Sequence, residues 1–539
     1  MIATFHRCTK PYIFKSRFIS GATMESISKR ALILAAAVAI AATGAMSTAY
    51  SQTMEDDADG YDNRGLYTGN PNECWVDDGE GEFTACYIDS GDTSFMIIAT
   101  ALVLFMTPGV AFFYGGMARS KNVVNVIGMT LIVMGAISWQ WVAWGYSLSF
   151  GPGDSDWNMF AGSLDYAGFN QVSYFAPLGS PIECQDTASN EYLMQEIKSG
   201  VACSDTWPGT IPHALFAAFQ GTFAIITPAL IVGGLIDRMK FSALIIFVLL
   251  WATFVYDPVA HWIWGGGFVS AGSLDIDPDL SPSFALDFAG GIVVHVTSGF
   301  SALAAALVLG RRIGYGKVPM DPHNVPMMVL GVTILWFGWT GFNAGSEVMA
   351  DGVAVRAMVV TNLAAGVGTV TWMLLSWAHT GKPSIVGAAT GTIAGLGTIT
   401  PAAGWVGPMA AIIIGIAAAS VCYACVAFKN AHKWDDALDV WGVHGMGGIT
   451  GSVLVGTLAS PDNWDTGGIG AWTGTPEGFE QQGINIMAAG IVAGYSFGMT
   501  VVILKIMDKV WPGGIRVTAK EEEMGLDLAQ HGELAYTNE

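Results

Sequence analysis

Residues 287–309 read Asp-Phe-Ala-Gly-Gly-Ile-Val-Val-His-Val-Thr-Ser-Gly-Phe-Ser-Ala-Leu-Ala-Ala-Ala-Leu-Val-Leu. Past the opening aspartate there is no Lys, Arg, Asp or Glu, and the one strongly polar side chain is His295. Crossing the hydrocarbon core of a bilayer takes ~20 apolar residues, and this run supplies them. Comparable runs recur along the 539-residue chain, which is 52% hydrophobic and only 12% charged. Such a composition is too apolar for a water-soluble protein. The sequence lacks the ~10-residue alternating segments of a membrane barrel. Its 68 glycines and 24 methionines suit helices that approach closely in lipid. The expected fold is therefore an all-α polytopic membrane protein.

Working outward, the apolar runs predict eleven transmembrane helices at 94–117, 123–148, 211–235, 241–263, 287–309, 325–346, 354–378, 384–400, 404–427, 438–457 and 483–506. Basic residues set the orientation. Alternate connections carry Arg119, Lys121, Arg238, Lys240, Arg311, Arg312, Lys317, Lys382, Lys429, Lys433, Lys505, Lys509, Arg516 and Lys520. The opposite side has only Arg64, Lys198 and Arg356. This predicts a mature N-terminus outside, a cytoplasmic C-terminus, and residence in the cell inner (cytoplasmic) membrane.

The first 51 residues are set aside as an upstream segment and signal peptide. Met24-Glu-Ser-Ile-Ser-Lys-Arg is a short basic start, 31–45 a small apolar core, and Ala49-Tyr50-Ser51 a small-x-small cleavage site before Gln52. Residues 52–93 follow as an acidic external segment, with 12 acidic side chains between 55 and 92. Residues 94–506 are expected to form the membrane domain and 507–539 a cytoplasmic tail. Two long external segments, 52–93 and about 149–210, each hold one cysteine pair. Oxidising compartments permit disulfides, so Cys74 is expected to pair with Cys86 and Cys184 with Cys203.

Five spans followed by five more make an inverted repeat, the second half entering the membrane the other way round, with the eleventh span left over as a final helix. Span five carries Gly-Gly-Ile-Val-Val-His295 and span ten carries Trp-Gly-Val-His444-Gly, each placing a histidine at similar depth. Ionisable groups inside a membrane are costly and usually functional. Two neutral imidazoles in contact can share a proton and take another from a passing cation. The alternative is two unrelated rings satisfied by backbone groups. A zinc site is not expected, for no His-Glu-x-x-His occurs, and Cys422-x-x-Cys425 sits in an apolar span without a partner pair. No metal, cofactor or catalytic residue is assigned, and an enzyme is not expected.

Asp287 is placed to cap the helix it opens, or to orient carbonyls toward a cation. Phe223, Phe342 and Trp264 offer ring faces that attract cations, although a tryptophan such as Trp264 also suits an interfacial belt. Asp257, in Tyr-Asp-Pro, is an unexpected acid within an apolar run, where it could satisfy backbone freed at Pro258.

Six strings resemble the ammonium transporter (Amt/Mep/Rh) family: Phe113-Tyr-Gly-Gly-Met, Phe219-Gln220-Gly-Thr-Phe223-Ala-Ile-Ile-Thr-Pro, Asp287-Phe-Ala-Gly-Gly-Ile-Val-Val-His295, Trp339-Thr-Gly-Phe342-Asn-Ala-Gly-Ser346, Asp439-Val-Trp-Gly-Val-His444-Gly-Met-Gly-Gly, and the tail Gly525-Leu-Asp-Leu-Ala-Gln-His-Gly-Glu-Leu-Ala-Tyr536. The tail resembles the bacterial and plant Amt branch. The resemblance implies ammonium uptake by a homotrimer of eleven-helix protomers embedded in lipid, each with its own pore. It matches Trp264 and Ser346 to an outer recruitment site, Phe223 and Phe342 to a stacked phenyl gate, His295 and His444 to the twin histidines of a hydrophobic pore, and Asp287 to a structural acid supporting the outer site. Gln220 and Trp339 lie in the same pore motifs. It also implies that a P-II-type nitrogen-signalling protein acts on the cytoplasmic face, and that no nucleic acid is involved.

Two rival readings stand beside it. One is an ammonium sensor with little transport, although only about 33 residues follow the last span, too few for an enzymatic output domain. The other is an Rh-like ammonia or gas channel, against which Trp264 counts, because an outer aromatic site suits a cation.

Overall fold

The computed structural model describes residues 74–77, 83–86, 88–152, 156–174, 210–270, 284–460 and 468–536. The expected signal peptide, most of the acidic segment, Cys184 and Cys203 lie outside them. Ten helices among the described residues are long and apolar enough to cross a membrane: Ser90–Met117, Ser120–Phe150, His213–Leu235, Phe241–Trp264, Gly291–Leu309, Val325–Glu347, Gly352–Thr380, Ile385–Ala402, Pro408–Ala431 and Pro476–Val510. The remaining expected span, 438–457, is helical from Trp441 to Leu458. It stands outside the ten because six glycines and His444 dilute its apolar content.

Local chemistry sets the helix ends. Asp89, Asp351 and Thr475 accept hydrogen bonds from the first free N–H groups of their helices, and Pro408 and Pro476 occupy first turns where no N–H is missed. Gly381 ends its helix at φ 78°, a left-handed turn that a Cβ would strain. The fifth span starts at Gly291, later than the apolar run suggests. Asp287–Gly290 is not helical, and Gly290 turns at φ 104° to let Asp287 cap the helix from outside.

The halves of the chain meet through glycine. A Cβ at Gly299 would collide with the backbone of Gly445, and a Cβ at Gly448 would collide with the backbone of Gly291 and Val296. Gly299 and Gly448 are 149 residues apart, as are Val296 and Gly445, so each helix crosses its counterpart at the equivalent point. In lipid no hydrophobic effect draws helices together, and close contact of small residues supplies the packing. Each of these two helices begins with a π-turn, Gly291–Val296 and Trp441–Gly445.

Outside the spans, a short hairpin pairs Cys74–Asp77 with Phe83–Cys86 antiparallel, its register setting Cys74 opposite Cys86. At the face bearing the basic connections, Arg312 bonds Asp435 (2.8 Å) and Asp237 (3.4 Å), Arg119 bonds Asp237 (2.8 Å), and Arg238 bonds Asp435 (3.3 Å). The tail docks on this network. Glu522 is buried, taking Arg516 at 2.8 Å and the Ile313 N–H at 2.6 Å, while Lys121 Nζ caps the carbonyls of Glu522 and Glu523. Asp527 accepts from the Asn125 N–H at 2.8 Å.

Candidate functional site

The two π-turns carry His295 and His444, each widening its helix by one residue so that a side chain turns inward. π-turns of this kind concentrate at functional sites. The imidazoles face each other with Nδ1 atoms 3.2 Å apart and ring centroids 5.2 Å apart, and both rings are buried. One Nδ1 must donate and the other accept, which leaves the two Nε2 atoms pointing away from the pair. His295 Nε2 has no hydrogen-bond partner.

Asp287 fixes the first turn. Its Oδ1 accepts from the Gly290 N–H (3.1 Å) and its Oδ2 from the N–H groups of Ile292 (2.9 Å) and Val293 (3.0 Å). Asp436, which the sequence reading missed, performs the same service for the second by accepting from the Trp441 N–H at 2.8 Å. The signal was present, since Asp436 stands 149 residues after Asp287, the spacing of the histidines themselves.

The aromatic residues stack above this pair. Trp264, half-buried, donates from Nε1 to the Asp287 carbonyl (2.8 Å), and its ring stands edge-on to Phe223 at 6.0 Å. Phe223 and Phe342 lie 4.4 Å apart between centroids, and Phe342 in turn lies 6.1 Å from His295, nearly parallel to it. Trp339 stacks on His295 beside Phe342, 5.4 Å from the imidazole and 5.3 Å from the phenyl ring, held by Nε1 to Thr400 Oγ1 (2.9 Å). Ser346 is half-buried on the turn after Phe342, its hydroxyl donating to the Phe342 carbonyl (2.8 Å) and keeping lone pairs free to accept. Gln220 is buried one turn ahead of Phe223 on the same helix.

Trp264, Phe223, Phe342, His295 and His444 thus form one continuous column. Below the phenyl pair a narrow cavity is lined by Met106, Val110, Leu230, Leu335, Ile393 and their neighbours, with both histidines on its wall. Among the described residues, no Asp, Glu, Lys or Arg lines it. The Tyr114 hydroxyl is turned aside to the Leu230 carbonyl (2.9 Å). A second cavity, sharing His444, Tyr114 and Ile393, continues toward Asp439, whose carboxylate pairs with Lys429 at 2.5 Å. No cluster able to hold a metal ion occurs among the described residues.

Comparison with known proteins agrees across the chain. The Ammonium Transporter Family model matches residues 94–536. The chain is similar to ammonium transporter Amt1 of Archaeoglobus fulgidus, 40% identical over 450 residues, covering 84% of this chain and all of that protein. It is similar in structure to Candida albicans Mep2, with a TM-score of 0.69, 35% identity, and coverage of 87% of this chain and 92% of that one. A solved sensor Amt protein is also similar, at a TM-score of 0.67 and 25% identity, covering 82% of this chain and 98% of that one.

Proposed function

The chain belongs to the ammonium transporter family, a multi-pass membrane protein handling ammonium or ammonia, and on that premise we propose how its residues carry out transport. Ammonium is recruited between the Trp264 ring face and the Ser346 hydroxyl. The contacts available there are a cation–π attraction of about 0.5–2 kcal/mol and one hydrogen bond worth about 1 kcal/mol. The Phe223/Phe342 pair is closed at 4.4 Å, so the rings must part for passage.

A bare ammonium ion entering the apolar cavity would lose its hydration without meeting a counter-charge, a cost of several kcal/mol. Ammonia faces little of that cost. The simplest course is that ammonium gives up its proton near the phenyl pair and ammonia crosses the cavity. The proton passes along the imidazoles: one Nε2 takes it, the Nδ1–Nδ1 bond reverses its direction, and the far Nε2 releases one. Both rings are left in the opposite tautomer and must reset before the next cycle. Potassium cannot deprotonate and is excluded. The observation that carries this reading is the 3.2 Å Nδ1–Nδ1 contact within a cavity wall that, among the described residues, holds no Asp, Glu, Lys or Arg.

The test is ammonium- and potassium-driven current in liposomes holding wild type and the histidine variants. Full current with full selectivity in a His295→Ala/His444→Ala double variant would refute the relay. The working unit is proposed to be a homotrimer in the cytoplasmic membrane. Its signal peptide is cleaved, its tail face is cytoplasmic, and that face is open to a P-II-type regulator. The likeness to a sensor Amt protein supports a second reading, ammonium binding with little turnover. Ammonium-dependent stabilisation without measurable current would favour it.

A further inference from the structure

The second and fourth spans each contain one more π-turn, Trp141–Gly145 and Ala252–Tyr256. Gln140 immediately precedes the first and Asp257 immediately follows the second, and both are fully buried. Gln140 Nε2 donates to Asp257 Oδ2 at 2.6 Å. Thr253 Oγ1 stands beside them, accepting from Trp144 Nε1 (2.8 Å) and donating to the Leu249 carbonyl (2.9 Å), so its own proton is committed. Gly145 leaves the space in which the amide lies, since a Cβ there would stand 2.7 Å from both Gln140 Nε2 and Oε1.

The pairing is incomplete. Asp257 Oδ1 and Gln140 Oε1 are both buried and both without a hydrogen-bond partner. Each can only accept while the carboxyl is ionised. Among the described residues Asp257 makes no ion pair. An unpaired carboxylate inside the membrane is among the most costly groups a helix can carry, and two unsatisfied buried acceptors add to the cost. One proton removes all three penalties. Placed on Oδ1 it abolishes the charge, gives that oxygen a donor, and supplies the hydrogen that Oε1 lacks.

We propose that Asp257 is a buried proton-binding site, held as the neutral acid in a two-way hydrogen-bonded pair with the Gln140 amide. Asp257 begins the short helix Asp257–Trp264, which ends on the ring facing Phe223. The pair therefore acts as a positioning element, fastening that helix to the second span. The protonation of Asp257 is read without any transport assay.

The experiment is infrared difference spectroscopy on the purified full-length protein at neutral pH, wild type minus Asp257→Asn. The expected result is a carbonyl stretch of a protonated carboxylic acid, shifted by deuterium exchange, that is present in wild type and lost in the variant. Gln140→Leu should move that stretch to higher wavenumber by removing its partner. Asp257→Asn should keep its thermal midpoint, because an amide offers the donor and acceptor that the neutral acid offers. A difference spectrum showing only carboxylate bands would overturn the proposal. So would a sodium-dependent rise in thermal midpoint that wild type shows and Asp257→Asn lacks, which would mark a monovalent-cation site instead. If Asp257→Asn fails to fold, Gln140→Leu decides, and an acid stretch that does not move overturns the pairing.

Discussion

Asp287 and Asp436 stand 149 residues apart and brace the two π-turns of the cavity in the same way. Each lies eight residues before its histidine, and each accepts through Oδ2 from the N–H five residues on, Ile292 at 2.9 Å and Trp441 at 2.8 Å. The halves differ in completeness. Asp287 holds three N–H groups with both oxygens, whereas Asp436 Oδ1 is unpartnered.

Removing either brace should loosen the ring it positions. A capping interaction is worth about 0.5–2 kcal/mol, and a buried donor left unpaired costs about 1–3 kcal/mol. Asp436→Ala is expected to lower the thermal midpoint in detergent and reduce ammonium current. Asp436→Asn keeps an acceptor and should stay near wild type on both. Because Asp287 serves three donors, Asp287→Ala should be the more damaging of the two alanine variants. An Asp436→Ala protein with unchanged midpoint and current would show that the π-turn is held by packing alone.

The parts of this arrangement that the sequence disclosed are those written in residue type. Uninterrupted apolar runs marked the spans, because a bilayer admits little else, and the equal spacing around His295 and His444 exposed the repeat. What it hid was backbone geometry. A π-turn inserts one residue without a residue-type signature, so none of the four in the spans was foreseen. The start of the fifth span was misplaced because Phe288 and Ala289 look as apolar as the helix that follows them. Asp257 was visible as an anomaly, but its partner Gln140 lies 117 residues away on another helix, a distance that no local pattern bridges.

The outer ring is expected to set apparent affinity. Trp264→Leu removes the π face and the hydrogen bond to the Asp287 carbonyl, a loss of about 1–2 kcal/mol in recruitment. Uptake should fall roughly ten-fold at low ammonium and recover at high ammonium. Loss at all concentrations would mean that Trp264 chiefly holds Asp287 and its loop in place.

Asp435 ties the tail face together and should make stability acid-sensitive. Burial opposes its charge, but hydrogen bonds from Arg312 and the charges of Arg238 and Arg312 hold its carboxyl below the ordinary value of 3.8. A lowered folded-state value means that the stabilisation is complete above the ordinary carboxylate value and is lost as pH falls through the folded one. Thermal midpoints should therefore decline once pH drops below about 4. Asp435→Asn should flatten that decline and cost about 3–5 kcal/mol at neutral pH, because the buried Arg238 loses its one ion-pair partner among the described residues and Arg312 loses one of two. The cost should sit at the lower end, since Arg312 keeps Asp237 at 3.4 Å. An acid limb identical in wild type and variant would assign it to other carboxylates.

Two disulfides are expected in the external segments, Cys74–Cys86 and Cys184–Cys203. The hairpin register sets Cys74 opposite Cys86. Mass mapping of non-reduced peptides should return both links within their own segments. A Cys74–Cys184 cross-link, or free thiols at all four positions, would defeat the pairing.

The histidine pair carries the mechanism and gives the sharpest test. Among the described residues the cavity wall carries no Asp, Glu, Lys or Arg, so the imidazoles are the groups that move a proton, and they can do so only together. His295→Ala and His444→Ala should each lower ammonium current by at least about ten-fold, the effect of about 1.4 kcal/mol on a barrier, since either loss breaks the single Nδ1–Nδ1 link. An acid at one position acts differently. His295→Glu would place a fixed negative charge where a bare cation otherwise meets only apolar walls, so the dehydration cost that excludes potassium would be partly offset. Ammonium current should then persist while potassium current appears, in liposomes where wild type passes none. If His295→Glu stays selective and the alanine variants keep full current, selectivity resides in the phenyl pair and the histidines serve as lining.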